Sequence, residues 1–254
     1  GNDTLYGGDG SDTYIFGYGY GHDIIEELWN NILYSDDDKV VFDSAVLPND
    51  VTFARIGNTA DLLITLVSTG ETLTVRGEFY TGHFDMNDVE QFVFGDGTVV
   101  TEEGLKEMLL TSVAGDQTVY GFDSSDVYHY SRGGGSDTII DEMLGGTNDR
   151  LVLNGILPEE VILARDGDDV TLLISASSAG ANDAGSVKLV GSLRNYYETG
   201  VESVEFADGT IWTYQQMRDA LLTSSPADET FVGTNRNDIF TYSRGGGDDV
   251  IADP

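Results

Sequence analysis

Glycines and aspartates recur at fixed offsets along this chain, and the chemistry that such a pairing supports is capture of a hard cation. Gly1-Asn2-Asp3-Thr4-Leu5 and Gly10-Ser11-Asp12-Thr13-Tyr14 put Gly1/Gly10, Asp3/Asp12 and Leu5/Tyr14 nine residues apart, with Gly7-Gly8-Asp9 leading into the second motif. The pattern returns in Gly19-Tyr20-Gly21-His22-Asp23, Gly133-Gly134-Gly135-Ser136-Asp137 and Gly245-Gly246-Gly247-Asp248-Asp249. Glycine accepts positive φ and lets backbone carbonyls turn inward, while an Asp at a fixed offset supplies charge; both are oxygen donors of the kind calcium takes. The chain has no cysteine, so thiolate metal sites are excluded. Isolated Asp-Gly pairs between apolar runs, Asp96-Gly97 and Asp208-Gly209, read instead as hairpin turns. In the nine-residue series the carboxylates would repel one another without a compensating cation.

The elements that must hold these residues are short strands. After each Asp, apolar residues alternate, pointing one side chain inward from each strand. Turns two nonapeptides apart stack, which pairs Asp3 with Asp23. Asp38-Lys39-Val40-Val41-Phe42 and Asp149-Arg150-Leu151-Val152-Leu153 carry the same signature, making Asp38 the candidate partner of Asp12 and Asp149 that of Asp126. On a longer scale the run Asp126 to Asp137 returns as Asp238 to Asp249, 112 residues later, and Asp12 to Asp23 is a weaker first copy. Residues 43–112 and 154–224 also align with each other, as in Leu47-Pro48 with Leu157-Pro158 and Phe94-Gly95-Asp96-Gly97 with Phe206-Ala207-Asp208-Gly209. Their short alternating runs predict antiparallel strands and hairpins. Each ends in a predicted helix: Thr213 and Gln216 form a capping box before Met217, Ala220 and Leu221, and Leu105, Met108 and Leu109 follow Thr101 likewise. The expected fold is mainly β, with glycine-turn blocks at 1–42, 113–153 and 225–254 alternating with β-rich segments at 43–112 and 154–224.

The turn Gly7-Gly8-Asp9-Gly10-Ser11-Asp12-Thr13-Tyr14-Ile15 resembles the calcium-binding nonapeptide of the RTX (haemolysin-type) family, Gly-Gly-x-Gly-x-Asp-x-apolar-x. The intervening segments resemble the domain associated with haemolysin-type repeats. These resemblances imply parallel β-roll turns that bind several Ca²⁺ ions between stacked loops. They assign carboxylate ligands to Asp3, Asp12, Asp23, Asp126, Asp137, Asp238 and Asp249, and carbonyl ligands to Gly7, Gly8, Asp9, Gly10, Gly19, Gly21, Gly133, Gly135, Gly245 and Gly247. Gln117 stands where Asp3 stood, and Phe122 and Ser124 replace Gly8 and Gly10, so the loop at 121–126 is expected to bind more weakly or not at all.

Composition narrows the partners. Acidic residues number 45 against 12 basic ones, a formal charge of −33 that argues against nucleic acid and anionic membrane surfaces. With 40% hydrophobic residues, 13 Tyr and 11 Phe, the chain is too apolar for a disordered acidic tail. No apolar stretch approaches the roughly 18 residues of a membrane helix. The chain opens in mid-motif and closes just inside a third copy, so we expect a piece of a longer repetitive protein. His22, His83 and His129 lie in no catalytic motif, and enzymatic activity is not expected. The leading expectation is a calcium-dependent folding and spacer segment of a secreted bacterial protein, packed against its own neighbouring repeats, for which the family resemblance implies export by a type I route. A second reading is a calcium-dependent adhesin module for an extracellular surface or glycan, with Tyr18-Gly19-Tyr20 and Asn195-Tyr196-Tyr197 as stacking surfaces. A minor one is calcium-triggered self-processing at Asp253-Pro254, a bond some RTX proteins cleave, although Asp253 aligns with Asp141, which Glu142 and not Pro follows.

Overall fold

A computed structural model describes residues 1–27, 37–80, 88–141, 146, 148–193, 200–233 and 238–252. The chain folds as two compact units, unit 1 over Gly1–Leu109 and unit 2 over Leu110–Pro254. Unit 1 contains β1 (Thr4–Leu5), β2 (Thr13–Phe16), β3 (His22–Glu26), β4 (Lys39–Phe42), β5 (Val51–Arg55), β6 (Leu62–Leu66), β7 (Thr72–Arg76), β8 (Gln91–Val93), β9 (Val99–Thr101) and helix α1 (Glu102–Leu109). Successive strands β1 to β4 alternate between two sheets, ordered β1-β3-β7-β6-β5 and β2-β4-β8-β9. Within the first sheet β1, β3 and β7 run parallel, and within the second so do β2, β4 and β8. Parallel neighbours cannot be joined by a tight hairpin. Here the strand of the opposite sheet serves as the crossover.

Unit 2 repeats the plan with β10 (Thr118–Tyr120), β11 (Val127–Ser131), β12 (Ser136–Ile140), β13 (Arg150–Asn154), β14 (Val161–Asp166), β15 (Asp169–Ile174), β16 (Gly185–Leu189), β17 (Ser203–Glu205), β18 (Ile211–Thr213) and α2 (Tyr214–Leu221). Its sheets are ordered β10-β12-β16-β15-β14 and β11-β13-β17-β18. A further parallel pair, β19 (Thr230–Val232) and β20 (Val250–Ala252), follows. The hairpin β14–β15 reaches this pair: the Arg165 guanidinium donates to the carbonyls of Val232 and Gly233.

The antiparallel pairs predicted between the glycine turns are present as β5–β6, β6–β7 and β8–β9 and their equivalents. The segment 43–112 is not a separate antiparallel sheet, however, because β7 extends the stack begun by β1 and β3, and β8 the stack begun by β2 and β4. The two sheets therefore run through the boundary drawn at 42/43, and likewise at 153/154. A two-residue alternation says that a strand has one buried face and nothing about the direction of its neighbour. The turns at 96–97 and 208–209 form as predicted, with Thr98 and Thr210 N–H each donating to the Asp two residues earlier at 2.9 Å.

The core lies between the paired sheets. Inward positions of β2 and β4 carry Tyr14, Phe16, Val40 and Phe42, all buried, and Phe42 stacks on Phe94 with ring centroids 4.7 Å apart. In unit 2, register places Tyr128 beside Leu151 and Leu151 beside Val204, a buried row across three parallel strands. Each helix packs on its unit's hairpin and on the strand before it. The capping box forms: Gln216 N–H donates to Thr213 Oγ1 and Thr213 N–H to Gln216 Oε1. The predicted apolar stripes hold only in part. Leu105 and Met217 are buried, but Met108 is 51% exposed and Ala220 is exposed, because helices of eight residues bury about one turn and leave Leu110 and Leu222 beyond their ends to complete the seal. Leu151→Ala should therefore cost about 2–5 kcal/mol in urea unfolding, against about 0.5 kcal/mol or less for Met108→Ala.

Candidate metal centre

Every turn leading from the first sheet of a unit to the second ends in an acid one residue before the strand. These are Asp12, Asp38 and Glu90 before β2, β4 and β8, and Asp126, Asp149 and Glu202 before β11, β13 and β17. Carboxylates along this edge cap the backbone of the turn stacked on them. Asp12 N–H donates to Asp38 Oδ1 at 2.6 Å and Asp38 N–H to Glu90 Oε2 at 2.5 Å. Asp126 N–H donates to Asp149 Oδ1 at 2.7 Å and Asp149 N–H to Glu202 Oε2 at 2.6 Å. The opposite edge uses the same device: Asp3, Gln117 and Glu229 N–H donate to Asp23, Asp137 and Asp249 at 2.9, 3.0 and 3.0 Å. The three pairs expected from spacing, Asp3 with Asp23, Asp12 with Asp38 and Asp126 with Asp149, are thus each brought together. The Asp137 carboxylate also accepts the Ser112 hydroxyl at 2.5 Å.

A second acid follows the strand of the first sheet and faces the same turn. Asp141 stands after β12, where its Oδ2 accepts the Tyr128 hydroxyl at 2.9 Å. Glu27 stands after β3, where it accepts the Tyr14 hydroxyl and, at 3.2 Å, Gly8 N–H. The residue below must be glycine for lack of space. A Cβ at Gly121 would lie 2.2 Å from the Tyr128 hydroxyl and 2.9 Å from Asp141 Cγ, and one at Gly7 would lie 2.2 Å from the Tyr14 hydroxyl.

In unit 2 this arrangement gathers Asp126, Asp141 and Asp149, which are 4%, 3% and 1% exposed and each offer an oxygen within 4.8 Å of the others. Loss of glycines at 121–126 predicts a weaker site at this loop. The three-carboxylate cluster nevertheless lies there, because Asp141 and Asp149 come from the turn above, and Phe122 contributes its N–H, at 2.6 Å from Asp126 Oδ2. Burial raises the Asp141 carboxyl to about 8, helped by the Asp149 charge, and raises Asp149 as well. Burial also raises the Tyr128 and Tyr14 hydroxyls, keeping both as donors.

The other expected ligands fall into different surroundings. Gly21 O accepts Thr72 N–H at 3.1 Å, Gly135 O accepts Ser186 N–H at 3.0 Å and the Tyr130 hydroxyl at 2.8 Å, and Gly247 O accepts the Tyr242 hydroxyl at 3.1 Å. These carbonyls are occupied in joining strand to turn. Gly19 and Gly21 turn their N–H groups to the Glu71 carboxylate at 3.1 and 3.0 Å, a polarity opposite to that of a cation loop. Gly8, Gly10, Gly133 and Gly245 lie in turns with positive φ, and Asp9 is exposed. Asp238 lies 4.0 Å from Arg218 Nε, with both side chains buried, so a guanidinium already faces that carboxylate. Tyr20 packs edge-on against Phe16 at 6.1 Å, and His22 Nδ1 meets Thr72 Oγ1 at 3.0 Å. His83, Asn195-Tyr196-Tyr197 and Asp253-Pro254 lie outside the described residues. Sequence reasoning missed Glu27, Asp141, Glu90 and Glu202; the signal was there in the acid at each strand boundary, offset from the glycine repeat.

Two segments, 61–103 and 181–216, match the haemolysin-type calcium binding protein related domain. The first begins at β6 and the second just before β16, and both end in the first turn of the unit's helix. These haemolysin-type related segments lie outside the glycine turns and carry the outermost acids of the ladder, Glu90 and Glu202. The matched family is a calcium-binding related domain and not a catalytic family, in agreement with the resemblance borne by the nonapeptides. No curated protein matches the chain. Among the described residues no helix is long and apolar enough to cross a membrane.

An Asp held above its ordinary range stabilises the fold when protonated, so that contribution is complete below pH ~4 and disappears as pH rises through the folded value. Without calcium, the melting temperature should fall as pH rises from about 5 to about 8. Asp141→Asn should flatten that slope in a thermal-melt series; an unchanged slope would mean that this carboxyl is not the titrating group.

Proposed function

We propose that the chain is a calcium-dependent folding segment of a large secreted protein, in which parallel β-roll turns are locked by Ca²⁺ bound between stacked acids. The cluster of Asp126, Asp141 and Asp149 carries this reading, since it concentrates three buried carboxylates within 4.8 Å of one another. A hard divalent cation with flexible coordination by oxygens answers that donor set, and calcium is such a cation. The equivalent acids Asp12, Glu27 and Asp38, with Tyr14 in the place of Tyr128, support a second site of the same design in unit 1. The five-block division of the sequence then describes alternating cation turns and inserted hairpins within continuous stacks.

Secretion is what the haemolysin-type resemblance implies, and calcium dependence is compatible with it. At low cytosolic calcium the acids repel one another and burial of Asp141 and Asp149 is opposed, which keeps the chain open for export by a type I-like route. Outside the cell, millimolar calcium matches the weak affinities of extracellular modules, and ions that bind only the folded chain stabilise it by mass action, by about 2.7 kcal/mol per site at a hundredfold excess over Kd. The role is structural: the segment folds where calcium is plentiful and spaces its neighbours.

Millimolar Ca²⁺ should raise the melting temperature and the β-sheet circular dichroism signal, and Asp126→Asn combined with Asp149→Asn should reduce both the shift and the number of ions taken up in calorimetry. A melting temperature indifferent to calcium, with no heat of binding, would reject the reading.

A further inference from the structure

Asn154-Gly155 is the only Asn-Gly pair in the chain. Asn154 is the last residue of β13 and pairs with Ser131 of β11, whereas the β17 ladder on the other side of β13 has already ended at Val152. Both members of the pair are exposed. Among the described residues the Asn154 amide meets no hydrogen-bond partner and the Gly155 N–H donates to none. Gly155 has a φ of 68°, and a Cβ placed on it would meet no atom within 4 Å. A side-chain amide that is not tied down therefore stands next to a main-chain nitrogen that neither a hydrogen bond nor a side chain of its own shields. Other asparagines lack one or both conditions. Asn2 Oδ1 is held by the His22 N–H at 3.0 Å, and Asn49 and Asn182 precede aspartates.

We propose that Asn154 is a site of spontaneous deamidation, with water as the co-reactant. The Gly155 nitrogen gives up its proton and bonds to Asn154 Cγ, the Cγ–Nδ2 bond breaks, and Nδ2 leaves as ammonia with that proton, closing a cyclic imide. Water then adds to one of the two ring carbonyls. Breaking the newly formed Cγ–N bond leaves aspartate at position 154. Breaking the original peptide C–N bond leaves isoaspartate, in which the main chain runs through the former side chain. Nothing is oxidised or reduced, and the net change is ammonia exchanged for water.

The two products have different consequences at this place in the fold. By register with β2 and β11, Asp43 stands in unit 1 where Asn154 stands in unit 2, so an aspartate fits the end of this strand. Isoaspartate lengthens the main chain by one carbon just before Ile156. That residue is fully buried, and its carbonyl accepts the Ala207 N–H at 3.0 Å. The extra carbon must displace either Ile156 or the last rung of β13, and both displacements lower stability. Unit 2 thus carries an ageing mark that unit 1, with no Asn-Gly pair, does not have. The mark is independent of the calcium reading.

Trypsin releases this position in the peptide Leu151–Arg165, which contains no other asparagine and no glutamine, so a mass gain there reports Asn154 alone. The whole folded chain, incubated at mildly alkaline pH, should accumulate in that peptide the mass difference between water and ammonia. The gain should divide between aspartate and isoaspartate, and methylation by an isoaspartate-specific methyltransferase should label the second. Asn154→Gln should abolish the gain and Gly155→Ala should slow it, with circular dichroism verifying that each variant is folded. The aged chain should melt at a lower temperature than Asn154→Asp, which carries the carboxylate without the extra main-chain carbon. A Leu151–Arg165 peptide that stays unchanged in the folded chain while the same chain converts in urea would overturn the proposal, because the fold would then protect the pair.

Discussion

Like charges buried at one edge of a stack of turns are the constraint from which the rest of this structure follows. Two full charges 4.8 Å apart repel by about 3–4 kcal/mol at an effective dielectric near 20, before the cost of removing either from water. The fold does not avoid this situation; it repeats it, placing an acid before each parallel strand of the second sheets and another after β3 and β12. Main-chain N–H groups and a tyrosine hydroxyl face the acids of each cluster. Hydrogen bonds of that kind orient a carboxylate and lower its energy, yet they leave the summed charge in place. Protons or a cation complete the balance, and burial, which raises the carboxyls of Asp141 and Asp149, sets its direction.

The two-sheet topology is what lets one chain repeat the same edge. Because each crossover is a strand of the facing sheet, every layer returns the chain to the same edge, in register with the layer below. Additional chain can enter between layers without disturbing the stack, as the hairpins β5–β6 and β14–β15 do, widening one sheet on its far side. Aromatic side chains fill the space between sheets, and Tyr14 and Tyr128 belong to both systems at once: their rings are core and their hydroxyls face the acids.

Much of this was legible in the residues. The nine-residue spacing of Asp3 and Asp12 and the signature around Asp38 and Asp149 identified which acids would meet, since a stack of equal turns brings like positions together whatever the details of the loop. Strand direction was less legible, because Thr72-Leu73-Thr74-Val75-Arg76 alternates in the same way whether its neighbour runs parallel or antiparallel. Glu27 and Asp141 escaped notice for a different reason. They belong to no glycine motif, and only the layer offset between β3 and the turn beneath it brings Glu27 over Gly7, as that of β12 brings Asp141 over Gly121. The role of Asp238 was likewise beyond reach, since its counter-charge comes from Arg218, on a helix that precedes it in sequence and has no glycine-turn signature.

The grip of Arg165 on the carbonyls of Val232 and Gly233 gives the array a polarity. The polarity is that of donor and acceptor: the earlier hairpin carries the guanidinium and the later strand pair the carbonyls, 67 and 68 residues further along the chain. A hairpin that widens one sheet thereby also fastens the β19–β20 pair to the repeat before it, as a buckle fastens the free end of a strap.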